Sequence, residues 1–162
     1  GRKLNVTRIS LSVTRKTENV RRRYSLNVKR KTKIVFFREF NMQDYHKLTV
    51  WTKSLDLVKD IYQITTAFPK TEFYGLSNQI QRAAVSIPSN IAEGSSRSSK
   101  NDYIRFLEIA LGSAYEVETQ LRISKELNYI SENTFNSILD KIDHIQRQLV
   151  QFIKRIRETL NA

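Results

Sequence analysis

The chain has 162 residues, with 28 Lys and Arg against 16 Asp and Glu, two His, no Cys, two Pro and four Gly. That length suits one domain, or one domain with a tail, and a hydrophobic share of 40% is enough to build a core, so wholesale disorder is excluded. Without Cys there is no disulfide framework, thiolate metal site or thiol nucleophile, which fits a reducing cytoplasm, and no apolar run approaches the roughly 20 residues that span a bilayer.

The formal net charge of +12 invites a nucleic-acid reading, provided the charge lies on the folded part. It does not. Residues 1–41 carry 13 basic residues and two acids, whereas residues 42–162 carry 15 basic and 14 acidic residues, a balance of +1. The expected organisation is therefore a basic N-terminal extension, 1–41, and a folded domain, 42–162. Three readings of the extension stand open. Arg21-Arg22-Arg23 and Lys29-Arg30-Lys31 cluster charge as a nucleic-acid arm would. An Arg-rich, acid-poor composition also fits a transit peptide, although its apolar residues lack a clean helical period. Finally, Met42 is the only Met, helical patterning starts just after it, and Arg38-Glu39 can be encoded by a purine-rich stretch like a bacterial ribosome-binding site. On that reading Met42 is the true start and the extension is not native. Val6, Ile9, Leu11 and Val13, then Tyr24, Leu26 and Val28, alternate with polar residues closely enough to allow a short hairpin.

From Met42 on, the apolar period becomes 3.6. A first helix is predicted from about Val50 to Thr66, with Trp51, Leu55, Val58, Ile61 and Tyr62 inward, ended by Ala67-Phe68-Pro69. A second starts between Thr71 and Ser77 and runs to Glu93, burying Leu76, Ile80, Ala83, Ala84, Ile87 and Ile91. Pro88 should bend it, and Gly94 should stop it. Ser99, three residues before Asp102, reads as the N-cap of a third helix, Lys100 to about Leu127. Its inward set is Tyr103, Phe106, Leu107, Ala110, Ala114, Val117 and Leu121, and Asn128 is a candidate left-handed stop. Ser131 caps a fourth, about 132–160, with Phe135, Ile138, Leu139, Ile142, Ile145, Leu149, Phe152, Ile153 and Ile156 inward. Four long helices on short links predict an all-α, antiparallel up-down four-helix bundle.

Catalytic constellations are missing. A carboxylate-bridged metal pair in such a bundle needs Glu-x-x-His twice, and neither His46 nor His144 has a Glu three residues before it. No Ser-His-Asp logic is visible, and Gly94 to Lys100 lacks the second Gly and the preceding strand of a phosphate loop. No enzyme activity, metal or cofactor is expected. Arg82, Ser86, Asn90, Glu93 and Arg97 do form a polar stripe at spacings of 4, 4, 3 and 4. Gly112, Glu116 and Gln120 form a second, with Ser113 beside them. Gly112 would let another backbone come close. The pair suggests a hydrogen-bonded contact within or between subunits, with a merely solvated face as the alternative. Lys47, Lys53, Arg82, Arg97, Lys100, Arg105 and Arg122 are candidate phosphate contacts, weighed against ordinary solubilising charge. Trp51, Tyr62 and Phe68 read as core rather than as base-stacking platforms.

Several runs resemble one bacterial family. They are Leu48-Thr49-Val50-Trp51, Phe68-Pro69-Lys70-Thr71-Glu72, Tyr74-Gly75-Leu76, the continuous stretch from Gln79 to Gly94, Arg105-Phe106-Leu107, and Gly112-Ser113 with Glu116 and Glu118. The family is the four-helix bundle encoded in intervening sequences of bacterial 23S ribosomal RNA genes, often given a ribosomal-protein label. It is similar to the accessory variability protein of diversity-generating retroelements. The resemblance covers about Tyr45 to Leu160 and leaves out residues 1–41. It implies a homo-oligomeric barrel, a pentamer, with no enzymatic activity. By analogy with the retroelement relatives it also implies a basic outer surface for nucleic acid and a reverse transcriptase as a protein partner. The family's Arg, Asn and Glu motif positions fall on Arg82, Asn90, Glu93 and Glu116.

The expected function is thus a non-enzymatic, cytoplasmic, RNA-associated homo-oligomer with no membrane contact. Lys47, Lys53, Arg97, Lys100, Arg105 and Arg122 would touch phosphate. Arg82, Asn90, Glu93, Gly112 and Glu116 would hold helix or subunit contacts. The alternative is a structural adaptor that binds a protein partner and no RNA.

Overall fold

The computed structural model describes residues 44–161. The extension, its possible hairpin and the boundary at Met42 lie outside the described residues.

Four α-helices follow a short 3₁₀ turn at Tyr45–Lys47: α1 Thr49–Thr65, α2 Leu76–Ser95, α3 Lys100–Glu126 and α4 Glu132–Leu160. A second 3₁₀ turn, Lys70–Glu72, lies between α1 and α2. Each helix packs on its neighbours in sequence, and α4 closes the ring on α1. Cross-helix bonds show the antiparallel order: Gln81 Nε2 donates to Thr65 Oγ1 at 2.7 Å, Gln146 Nε2 to Glu118 Oε2 at 2.8 Å, and Lys141 pairs with Asp60. The up-down bundle expected from periodicity is the observed fold.

Local chemistry sets the helix ends. Ser99 Oγ accepts from the Asp102 N–H and Ser131 Oγ from the Thr134 N–H, as predicted for N-caps. Asn128, with φ 58°, ends α3. Its N–H donates to the Lys125 carbonyl and that of Tyr129 to the Ser124 carbonyl, the paired bonds of a Schellman stop. Gly94 behaves otherwise than expected. Helix α2 runs past it to Ser95, through Pro88, and Gly94 has no left-handed φ. A Cβ there would stand 2.7 Å from Tyr103 Cδ2 and 2.8 Å from Phe106 Cβ, so the glycine lets α3 lie tightly against α2.

The core contains the predicted apolar sets of α2, α3 and α4, apart from half-buried Leu76, Phe106 and Leu139. The inward face of α1 is rotated from the expected one. Val50, Ser54, Leu57, Ile61 and Thr65 are buried, while Trp51, Leu55 and Val58 are half-buried and Tyr62 is 48% exposed. Small hydroxyls make this arrangement cheap. Ser54 Oγ donates to the Trp51 carbonyl at 2.6 Å and Thr65 Oγ1 to that of Ile61 at 2.9 Å, so both are satisfied by their own helix.

Candidate nucleic-acid interface

The up-down order brings the start of α1, the end of α2, the start of α3 and the end of α4 to one end of the bundle. Two contacts join the start of α3 to the end of α4 there: Lys100 Nζ donates to Thr159 Oγ1 at 2.9 Å, and Arg157 pairs with Glu108. Five of the six predicted phosphate contacts, Lys47, Lys53, Arg97, Lys100 and Arg105, therefore share one end. Arg122 does not. It lies in the last turns of α3, at the opposite end, on Glu118.

Lys154, Arg155 and Arg157, in the last turns of α4, join the first five. Neither composition nor any motif marks them, although the topology predicted from the helical period already places them there. Splitting each helix at its middle, this half of the bundle has nine basic and six acidic residues, and the other half six basic and eight acidic. A total near neutrality thus hides a polar distribution of charge along the bundle axis.

Within the basic end the cations differ in availability. Lys47 Nζ is 2.7 Å from Asp44 Oδ2 and holds that carboxyl below the usual carboxylate range. Arg97 pairs with Glu93 and lies over Phe106, its Cζ 4.5 Å from the ring centre, and the two contacts together hold the guanidinium. Among the described residues Lys53, Arg105, Lys154 and Arg155 have no carboxylate partner. These four need break no ion pair to meet a phosphate.

The polar stripe divides into two parts. Ser86, Asn90 and Ser113 form the contact between α2 and α3. Asn90 Nδ2 donates to the Ser86 carbonyl at 2.8 Å and to Ser86 Oγ at 2.9 Å, and Ser113 Oγ is 2.9 Å from Ser86 Oγ. Arg82, Glu93, Gly112 and Glu116 instead face solvent. Glu116 accepts from Gln120 Nε2 at 3.2 Å, and Arg82 has no ion pair among the described residues. Nothing among the described residues stands within 4 Å of a Cβ built on Gly112, so none of them uses the space it leaves. Among the described residues no cluster of three or more His, Asp or Glu could hold a metal, and no helix is long and apolar enough to cross a membrane.

Fold and charge together define an all-α up-down bundle with one cation-rich end. The family model of the 23S rRNA-intervening sequence protein matches residues 46–151, and the chain belongs to that family. A solved structure from Bacteroides thetaiotaomicron, a protein of unknown function from the S23 ribosomal protein family, is similar at 31% identity and a TM-score of 0.62. The match covers 65% of this chain and 99% of that one. The matched bundle thus accounts for nearly all of that relative's chain. Among curated proteins, none matches.

Proposed function

We propose that the bundle is a non-enzymatic, cytoplasmic homo-oligomer, a pentamer by family resemblance, that binds structured RNA through its cation-rich end. The observation that carries this reading is the gathering of Lys47, Lys53, Arg97, Lys100 and Arg105 with Lys154, Arg155 and Arg157, four of them without carboxylate partners among the described residues. Phosphate contacts of this kind release counterions and so weaken with salt. One such end is a modest site, but repetition around a ring raises avidity without any new contact. Exposed Val85, Ile109 and Ile123, with the open space at Gly112, supply apolar surface for packing between copies. The same surface favours the alternative, an adaptor that binds a protein and no RNA.

The test is a titration of residues 42–162 with a structured ribosomal RNA fragment across a salt series. Combined Lys53→Ala, Arg97→Ala and Arg105→Ala substitution should weaken binding and reduce the log–log salt slope by about 2–3. The pair Arg122→Ala and Lys125→Ala, at the other end, should change it little. Equal loss from both variants, or no binding at low salt, refutes the basic-end site.

A further inference from the structure

At the end of the bundle away from the basic cluster, the chain between α1 and α2 builds a cleft of about 550 Å³. Its rim is aromatic. Tyr62 is 48%, Phe73 66% and Tyr74 88% exposed, and the Phe73 and Tyr74 rings meet edge to face at 4.8 Å. Phe68 forms the buried floor, tilted against Tyr129 at 5.3 Å. Burial of such rings is favourable, so three left in water around one cleft are a feature to be explained.

The polar groups of the cleft point to a ligand class. Asn78 has no hydrogen-bond partner among the described residues, which leaves an amide donor and acceptor free. Gln81 uses one N–H on Thr65 Oγ1 and keeps its carbonyl oxygen. Lys70 is the one charged residue lining the cleft among the described residues. The nearest carboxylate in sequence, Glu72, is turned away, since Oε2 accepts from the Leu76 N–H at 2.9 Å and Oε1 from the Tyr129 hydroxyl at 3.3 Å. Ring faces for stacking, amides for a heterocycle edge and one cation for an adjacent phosphate are what an unpaired nucleobase requires. An apolar peptide side chain would use the rings and leave the amides and the lysine without a purpose.

We propose that this cleft holds an unpaired base of single-stranded RNA, stacked on Tyr74 and edge-on to Phe73, with Asn78 and Gln81 on its edge and Lys70 on its phosphate. The inference rests on the RNA reading and adds to it a second, salt-tolerant contact. The length of α2 separates the two sites by on the order of 30 Å, so substitutions at one should not disturb the other.

Binding of a fluorescein-labelled oligouridylate of about 12 nucleotides to residues 42–162 tests it, beside an abasic strand with the same number of phosphates. Tyr74→Ala should weaken oligouridylate binding roughly 5- to 150-fold at every salt concentration and leave the abasic strand unaffected. Tyr74→Trp should restore it. At 88% exposure the side chain adds little to the core, and circular dichroism checks that both variants fold. If Tyr74→Ala is silent while the Lys53, Arg97 and Arg105 variant loses binding, the base site is wrong and the basic end stands. If no RNA binds at low salt, both fall. A change of oligomeric mass in Tyr74→Ala makes the cleft a contact between copies and overturns the proposal.

Discussion

Gly94 shows how one missing carbon fixes a helix pair. An added Cβ meets the Tyr103 ring, itself buried and edge-on to Phe152 at 5.5 Å, and so unable to swing aside. Gly94→Ala gains helix propensity of about 0.5–1 kcal/mol but overpacks at a cost of about 1–3 kcal/mol. Net destabilisation in urea unfolding is the expected outcome, and a neutral or stabilised variant would refute the packing role. Glu118 offers a titratable check on the seam between α3 and α4. Its carboxylate accepts from Gln146 Nε2 at 2.8 Å and from the Arg122 guanidinium at 2.7 Å, and these donors hold its pKa below the ordinary value. A carboxyl lowered on folding contributes stability above its unfolded pKa, and that contribution disappears as pH falls through the folded pKa. Glu118→Gln should therefore be less stable than the parent at neutral pH. The gap should close in acid, as followed by unfolding at a series of pH values.

Helix ends were the most legible elements, because caps are local chemistry that needs no knowledge of the neighbours. Ser99, Ser131 and Asn128 all act as their residue types and positions predict. Asn128→Ala should lose about 1 kcal/mol, since at φ 58° Ala lacks the short polar side chain that eases Asn into the left-handed region, whereas Asn128→Gly should lose nothing. A calorimetric comparison of the two variants decides it. The rotational setting of α1 was not legible. Ile61 is inward as expected, but Trp51, Leu55, Val58 and Tyr62 fall at spacings of 4, 3 and 4, and make a larger apolar stripe than the buried Val50 and Leu57. What turns the helix is the pair of small hydroxyls, Ser54 and Thr65, which bury at little cost once bonded to their own backbone and let the neighbours approach. A hydrophobicity pattern counts both as polar, so it selects the wrong face. The same error hid Tyr62 as a core residue and with it the aromatic cleft. Phe73 and Tyr74, in the link before α2, carried no periodic signal at all.

For the whole bundle, the net charge of +1 conceals the arrangement that matters. A charge count gives no position, and the two halves have balances of opposite sign. Once helix order is known, the last turns of α4 fall beside the first turns of α3, and eight Lys and Arg side chains come to one end. Family membership adds a solved relative of the same fold, while the basic end supplies the physical reason to look for RNA. The extension of residues 1–41, with 13 basic residues, would bind polyanions on charge alone and must be separated from the bundle in any assay. The decisive measurement is therefore RNA titration of residues 1–162 and 42–162 in parallel, at two salt concentrations, with mass by light scattering. The account predicts that the shorter chain is oligomeric and binds, with affinity falling steeply as salt rises. Binding by the longer chain alone would assign the activity to the extension and contradict the claim that the bundle is the RNA module.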